Sequence, residues 1–141
     1  MLMKKGILLI LPVLFACHQP DHLKSKITHV IQSQEMAWNR GDIEDFMLGY
    51  WKNDSMQFIT QKGIRYGWKE TLNSYKKSYP SKEKMGILHF GELKVNCIGT
   101  SVGHATGTWQ ISYPKDSIGG HFSLLFKTFE GKPKIIVDHT W

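Results

Sequence analysis

The chain has 141 residues, of which 41% are hydrophobic and 21% charged, and its net charge is +6 with neutral histidines. This composition is typical of one soluble domain and excludes a disordered, collagenous or multi-span membrane chain. A chain of this length buries roughly two thirds of its unfolded surface, so it needs no disulfide framework.

The first 16 residues have the pattern of a signal peptide. Lys4 and Lys5 precede an apolar run over 7–16. This run has about half the length that a helix needs to span a bilayer, so we expect a cleaved peptide rather than a permanent anchor. Without these two lysines the net charge falls to +4. Because an exported domain meets no genome, we expect no nucleic-acid partner.

Cys17 is the candidate lipidation site. The motif Leu14-Phe15-Ala16-Cys17 resembles a bacterial lipobox, in which the cysteine is acylated and becomes the first residue. Several acyl chains on one cysteine give stable anchoring. We therefore expect a lipidated tether over 17–22 and an exported protein anchored to the cell envelope, on the periplasmic or outer-membrane surface of a diderm bacterium. The alternative is ordinary secretion with an unmodified Cys17 thiol.

Two helices are predicted at the start of the domain. Apolar residues recur at steps of three and four from Leu23 to Trp38, which indicates an amphipathic helix that ends at Gly41. Asp42 is expected to cap a second helix, whose apolar stripe reaches Tyr50.

A hairpin and a third helix follow. Strand-like runs over 56–60 and 64–66 flank a turn that contains Gly63, which indicates a short hairpin. Apolar residues over 68–79 return to helical spacing, and Pro80 ends that helix.

Four strands are predicted after residue 85, where the pattern changes to a period of two. This alternation places His89 on the apolar face of the first strand, and it points Trp109 inward and His104 outward in the second. The third strand has apolar residues on both faces and is not oriented. In the last strand Asp138 and His139 point to opposite faces, and His139 shares a face with apolar residues.

The order of these elements resembles the nuclear transport factor 2-like superfamily. The Trp38-Asn39-Arg40-Gly41-Asp42 junction and the ending Ile135-Ile136-Val137-Asp138-His139-Thr140 carry the resemblance, which covers 23–141 and is greatest for SnoaL-like and ketosteroid-isomerase-like small proteins. It implies an α+β cone, in which three N-terminal helices pack on a curved antiparallel sheet around a small-molecule cavity. Pro133 stands where such proteins often carry tryptophan. Fold alone does not distinguish binding from catalysis.

Aromatic residues are abundant, with five Trp, five Tyr and seven Phe. We expect some of them to line a ligand cavity, and the alternative for each is simply to fill the core. The candidate ligand-binding residues are Trp38, Tyr50, Trp51, Phe58, Trp68, Tyr75, His89, Trp109 and His139.

If the cavity is an active site, the candidate general bases are His89, His139 and Asp138. A histidine on an apolar strand face loses hydration, which lowers its pKa and leaves a neutral imidazole able to take a proton. A hydrogen-bonded core or rim histidine is the alternative. Ketosteroid isomerase uses an aspartate base with a tyrosine and a protonated aspartate. Tyr50 with Asp54 or Asp138 could supply such groups, although spacing does not single them out.

No metal or other cofactor is expected, because the histidines and cysteines lack metal-ligand spacing. His104 and His121 could still meet across strands. Cys97 lies in a strand pattern, where a buried and unreactive thiol is expected, and no internal disulfide is predicted.

We favour an exported, membrane-tethered domain that binds a small, mostly apolar molecule in an aromatic cavity without catalysis. One alternative is a cavity enzyme of the isomerase, dehydratase or cyclase type with a histidine or aspartate base. The other is a homodimeric interaction module that pairs through the polar strand face of His104, Thr106, Thr108, Gln110 and Ser112.

Overall fold

Residues 20–141 are described by a computed structural model, and the predicted signal peptide and Cys17 lie outside this range. Their elements are α1 (Pro20–Asn39), α2 (Ile43–Met47), β1 (Gln57–Thr60), β2 (Gly63–Tyr66), α3 (Trp68–Ser78), α4 (Lys82–Met85), β3 (Ile87–Ile98), β4 (Val102–Ser112), β5 (Ser117–Phe129) and β6 (Lys132–Thr140). α1 begins inside the segment predicted as a tether, and the short α4 was not predicted. None of the described helices is long and apolar enough to cross a membrane.

The six strands form one curved sheet in the order β2-β1-β6-β5-β4-β3. β3 to β6 pair as the predicted antiparallel meander, whereas β1 adds a parallel pairing with β6 that the sequence pattern did not indicate. The path of the chain explains this pairing. Tyr50, after α2, already forms a parallel bridge with Ile135, so the chain continues into β1 in the direction of β6.

α1 packs on the sheet against β3, β4 and β6. Its residues Leu23, Ile27 and Ile31 are buried, at the predicted helical spacing. A Cβ at Gly103 on β4 would overlap the Cδ1 of Ile27, so glycine allows the helix to approach the strand this closely. Helices on a curved sheet around one core are the predicted α+β fold class, which is confirmed.

A β-bulge reverses the side-chain alternation of β3. The register with β4 shifts between Gly91 and Lys94, where two residues of β3 oppose one residue of β4. Inward positions are therefore even-numbered before the bulge, as at Leu88, and odd-numbered after it, as at Val95. The placement of His89 on the apolar face assumed one unbroken alternation and was wrong, since 72% of this side chain is exposed.

A second bulge has the same effect in β6. The register with β5 skips Ile136, so Ile135 faces the core before the bulge and Asp138 faces it afterwards. His139 was expected to share the face of Ile135. That expectation was wrong for the same reason, and His139 is exposed on the outer face of the sheet.

The two central strands of the meander have regular alternation on their inner faces. Trp109 of β4 faces inward and His104 faces outward, as predicted, and the Nε2 of His104 lies 2.8 Å from the Oγ of Ser123. On β5, which the sequence did not orient, the buried face carries Phe122 and Leu124.

Candidate functional site

A cavity of about 540 Å³ opens between the inner face of the sheet and helices α1 and α3. Its wall is mainly aromatic and aliphatic, with a few polar side chains at the mouth and one carboxyl group deep inside. Small-molecule sites in proteins commonly enclose a few hundred to a thousand Å³ with this distribution of polarity.

Five of the predicted ligand-binding residues lie on the cavity wall: Trp38, Tyr50, Phe58, Tyr75 and Trp109. Each reaches the wall from a different element or loop, namely α1, the segment after α2, β1, α3 and β4. The helical stripes and the alternation of β4 identified four of them as inward-facing, whereas the sequence pattern did not orient Phe58 on the short β1.

Trp51 and Trp68 do not line the cavity. Trp51 stacks on Phe129, with ring centroids 5.2 Å apart. The Nε1 of Trp68 donates a hydrogen bond of 2.8 Å to the carbonyl oxygen of Met47, so this indole joins α3 to α2. Both side chains belong to the packing around the cavity rather than to its surface.

The two candidate histidines lie outside the cavity. The Nδ1 of His89 is 3.6 Å from the Oε1 of Glu35, on the side of β3 that faces away from the core. His139 packs against Trp141, with ring centroids 4.8 Å apart. Neither imidazole can act as a base on a molecule in this cavity. Asp54, another candidate carboxylate, is exposed in the loop before β1.

Tyr75 is the centre of the aromatic wall. Its ring makes edge-to-face contacts with Trp38, Phe46 and Phe58, at centroid distances of 6.0, 5.4 and 5.7 Å. Such pairs contribute about 0.5–1.5 kcal/mol each beyond the area they bury. The rings therefore hold one another in place, and the wall is preformed.

Asp138 is the acidic residue of the cavity and is 4% exposed. Its Oδ2 accepts a 2.7 Å hydrogen bond from the Tyr50 hydroxyl, and its Oδ1 accepts one of 2.6 Å from the Thr140 hydroxyl. Burial raises the pKa of Asp138 to about 6, although both hydrogen bonds favour the ionised form and oppose this shift. The carboxyl group therefore changes charge near neutral pH.

Tyr50 and Tyr75 are protonated phenols beside this carboxyl group. Burial, followed by the charge of Asp138, raises the pKa of Tyr50 well above its ordinary value. Burial and then Asp138 also raise the pKa of Tyr75. Both hydroxyls therefore remain donors. The sequence offers Tyr50 and Asp138 as candidates but gives no reason to pair them, because the bulge in β6 brings them together.

The mouth of the cavity carries residues that the sequence analysis missed. The β1–β2 hairpin places Lys62 and Arg65 there, and α3 adds Ser74 and Ser78. Arg65 pairs in register with Phe58 across the hairpin, and neighbouring residues in register share a face of the sheet. The predicted hairpin, with its turn over 61–63, would instead pair Phe58 with Tyr66, so the sequence pattern did not identify Arg65.

The proposed histidine pair does not form. His104 lies opposite Leu125, and His121 lies opposite Thr108, four residues further along β4. Within residues 20–141 no three His, Cys, Asp or Glu side chains converge as a metal site would require. Cys97 is partly buried, and burial raises the pKa of its thiol.

No protein-family model and no curated protein matches the chain. Among solved structures, a nuclear transport factor 2-like protein of unknown function from Shewanella oneidensis MR-1 is 35% identical, with a TM-score of 0.81 over 84% of this chain and 98% of that chain. A second such protein of unknown function, from Pseudomonas putida KT2440, is 15% identical, with a TM-score of 0.71 over 85% and 86% of the two chains. A superfamily protein from Salmonella enterica serovar Typhimurium LT2 is 14% identical, with a TM-score of 0.71 over 87% and 92%. The last two likenesses concern the fold alone, but the identity and coverage of the first confirm the resemblance, and this chain belongs to the nuclear transport factor 2-like superfamily.

Proposed function

We propose that this protein is an exported, lipid-anchored domain whose cavity binds a small, mostly apolar molecule without altering it. The observation that carries the proposal is the preformed aromatic cavity of about 540 Å³. Burial of apolar surface contributes about 25 cal/mol per Å², so a ring-sized molecule gains several kcal/mol from such a wall.

Asp138 supports binding because it is a hydrogen-bonding group inside an apolar cavity. Both of its oxygens already accept hydrogen bonds, from Tyr50 and Thr140, which stabilise the carboxylate and reduce its readiness to take a proton. A bound molecule with a hydroxyl or amine group would satisfy the remaining lone pairs of the carboxylate. This arrangement favours recognition of one polar group on an otherwise apolar ligand.

One observation favours catalysis as a second candidate function. The pKa of Asp138, raised by burial to about 6, is suited to a general base near neutral pH, and the Tyr50 hydroxyl is 2.7 Å away. Proton transfer of the isomerase type would then use Asp138. Conversion of a bound molecule by the wild-type chain, lost in Asp138→Asn while binding persists, would replace the binding proposal with this one.

Native mass spectrometry tests the binding proposal. Residues 18–141 contain every described strand and all of the cavity. Purified without detergent, this segment should carry a small-molecule adduct that is released on denaturation. Ser74→Trp places an indole at the mouth and should abolish the adduct, whereas Asn73→Trp, on the exposed face of α3, should keep it. An adduct that survives Ser74→Trp would place the ligand elsewhere and contradict the proposal.

The anchor has its own test. The lipobox-like motif supports acylation of Cys17. The wild-type chain should fractionate with membranes and enter the detergent phase on phase separation, and Cys17→Ser should not. Recovery of the wild-type chain in the aqueous phase, with an unmodified N-terminal peptide by mass spectrometry, would refute lipidation.

Pairing of two copies through the outer face of β4 stays a prediction. Sedimentation equilibrium should give twice the mass of one chain, and Thr106→Lys on that face should reduce it to one chain. A single-chain mass for the wild-type protein would refute the homodimer.

A further inference from the structure

Among the residues that the structure describes, the cations at the cavity mouth have no acidic partner. Lys62 and Arg65 line the cavity, and within residues 20–141 neither forms a salt bridge. The other arginine of the chain, Arg40, is paired with Asp45 on the surface. Two unpaired cations beside an aromatic wall provide a site for an anionic group.

The registers of three neighbouring strands place the side chains of Asp138, Phe58 and Arg65 in one row across the sheet. Phe58 of β1 lies opposite Asp138 of β6 on one side and opposite Arg65 of β2 on the other. Neighbouring strands are about 4.8 Å apart, so the backbones of Asp138 and Arg65 are separated by roughly 10 Å with an aromatic ring between them. That separation matches the length of a one- or two-ring molecule.

The charge of Arg65 acts inside the cavity. Its guanidinium carbon lies 5.8 Å from the centroid of the Phe58 ring, in a cation–π contact. Burial and then the charge of Asp138 raise the pKa of Tyr75, and the Arg65 guanidinium makes the smallest contribution, which opposes them. Because Asp138 is the acidic residue of this cavity, an anion is repelled from the deep end and attracted to the mouth.

Uncharged donors line the same cavity as these cations. Ser74 and Ser78 are four residues apart on α3 and therefore share one face of the helix, and the amide of Gln61 is on the hairpin opposite. Hydroxyl and amide donors beside an arginine are the groups that commonly complete the hydrogen bonding of a carboxylate, sulfonate or phosphate ester.

We propose that the molecule bound here is an amphipathic anion. Its acidic group lies between Arg65 and Lys62 at the mouth, its apolar body lies against Phe58 and Tyr75, and an uncharged polar group reaches Asp138. This inference rests on the proposed binding function and specifies its ligand class.

A matched pair of fluorescent probes tests the inference. 8-Anilinonaphthalene-1-sulfonate and N-phenyl-1-naphthylamine share one ring skeleton, and only the first carries a sulfonate. Each is titrated into the full chain, made by cell-free synthesis so that Cys17 is unacylated and no detergent is needed. We expect the sulfonate to bind about tenfold more tightly, as one charge-assisted contact provides, and high salt to reduce this preference.

Single substitutions test whether the arginine at the cavity mouth causes the preference for the sulfonate probe. Arg65→Gln should remove most of the tenfold preference, measured as the ratio of the affinities of the two probes for the same variant. Arg40→Gln is the matched control, because it removes the same charge outside this cavity, and it should keep the preference. Near-ultraviolet circular dichroism of each variant checks that the aromatic core is intact.

The outcomes separate this inference from the proposed function. Equal affinity for the two probes, or tighter binding of the neutral one, would overturn the inference that the ligand is anionic. It would not contradict the proposal that the cavity binds a small molecule. Sulfonate binding that survives Ser74→Trp would lie outside the cavity and would also overturn the inference. Absence of binding by either probe would refute both the cavity function and the inference that rests on it.

Discussion

Asp138 should make the stability of this protein fall as pH rises. Burial raises the pKa of its carboxyl group from 3.8 to about 6, so between these values the folded chain binds more protons than the unfolded chain. Each pKa unit corresponds to 1.36 kcal/mol, and the shift of about two units therefore corresponds to roughly 3 kcal/mol. This stabilisation is fully present below about pH 4 and is lost as pH rises through 6.

Urea unfolding of the wild-type chain and of Asp138→Asn, at each pH from 4 to 8, isolates this contribution. The amide has no charge to titrate, so the difference between the two free energies of unfolding follows Asp138. We expect the wild-type chain to lose roughly 2 kcal/mol relative to the variant between pH 4 and pH 7, with the steepest change near pH 5. Asp54→Asn, on an exposed loop, controls for removal of a carboxylate.

If the difference between the two free energies of unfolding does not change from pH 4 to pH 8, Asp138 has the same proton affinity in the folded and the unfolded chain. A difference that changes in the opposite direction would show that hydrogen bonds from Tyr50 and Thr140 outweigh burial. Either result would refute the reasoning that makes Asp138 a group poised near neutral pH.

Three further predictions concern packing and hydrogen bonding. Tyr50→Phe removes a donor to the buried Asp138 carboxylate and should cost about 1–3 kcal/mol at pH 7 by urea unfolding, with the pH midpoint of the Asp138 effect shifted upward. Gly103→Ala should lower the melting temperature because its Cβ overlaps Ile27, and Ile27→Val, which removes that Cδ1, should restore part of the loss. Asp42→Ala removes the 2.9 Å cap on α2 and should cost about 1 kcal/mol by thermal unfolding. Unchanged stability of any one of these variants would contradict the prediction made for it.

Most local elements of this protein, although not the short α4, are determined by the sequence alone. The stripe that begins at Leu23, the cap at Asp42 and the proline after α3 predicted helices that the structure contains. The alternation on β4 correctly pointed Trp109 inward. These features depend on side chains within a few residues of one another, so the sequence carries the whole signal.

The chemistry of the cavity was decided by tertiary structure. Two bulges, one in β3 and one in β6, turn His89 and His139 outward and bring Asp138 inward. A bulge shifts the two-residue period by one position, so an alternation that holds on one side of the bulge assigns the wrong face on the other side. Its position depends on pairing with a neighbouring strand. The meeting of Tyr50 with Asp138 depends likewise on a parallel pairing between segments about 85 residues apart. Contacts of that separation leave no period in the sequence. For this reason the aromatic wall could be predicted, whereas Asp138 was one of several candidate acids and its pairing with Tyr50 could not be predicted.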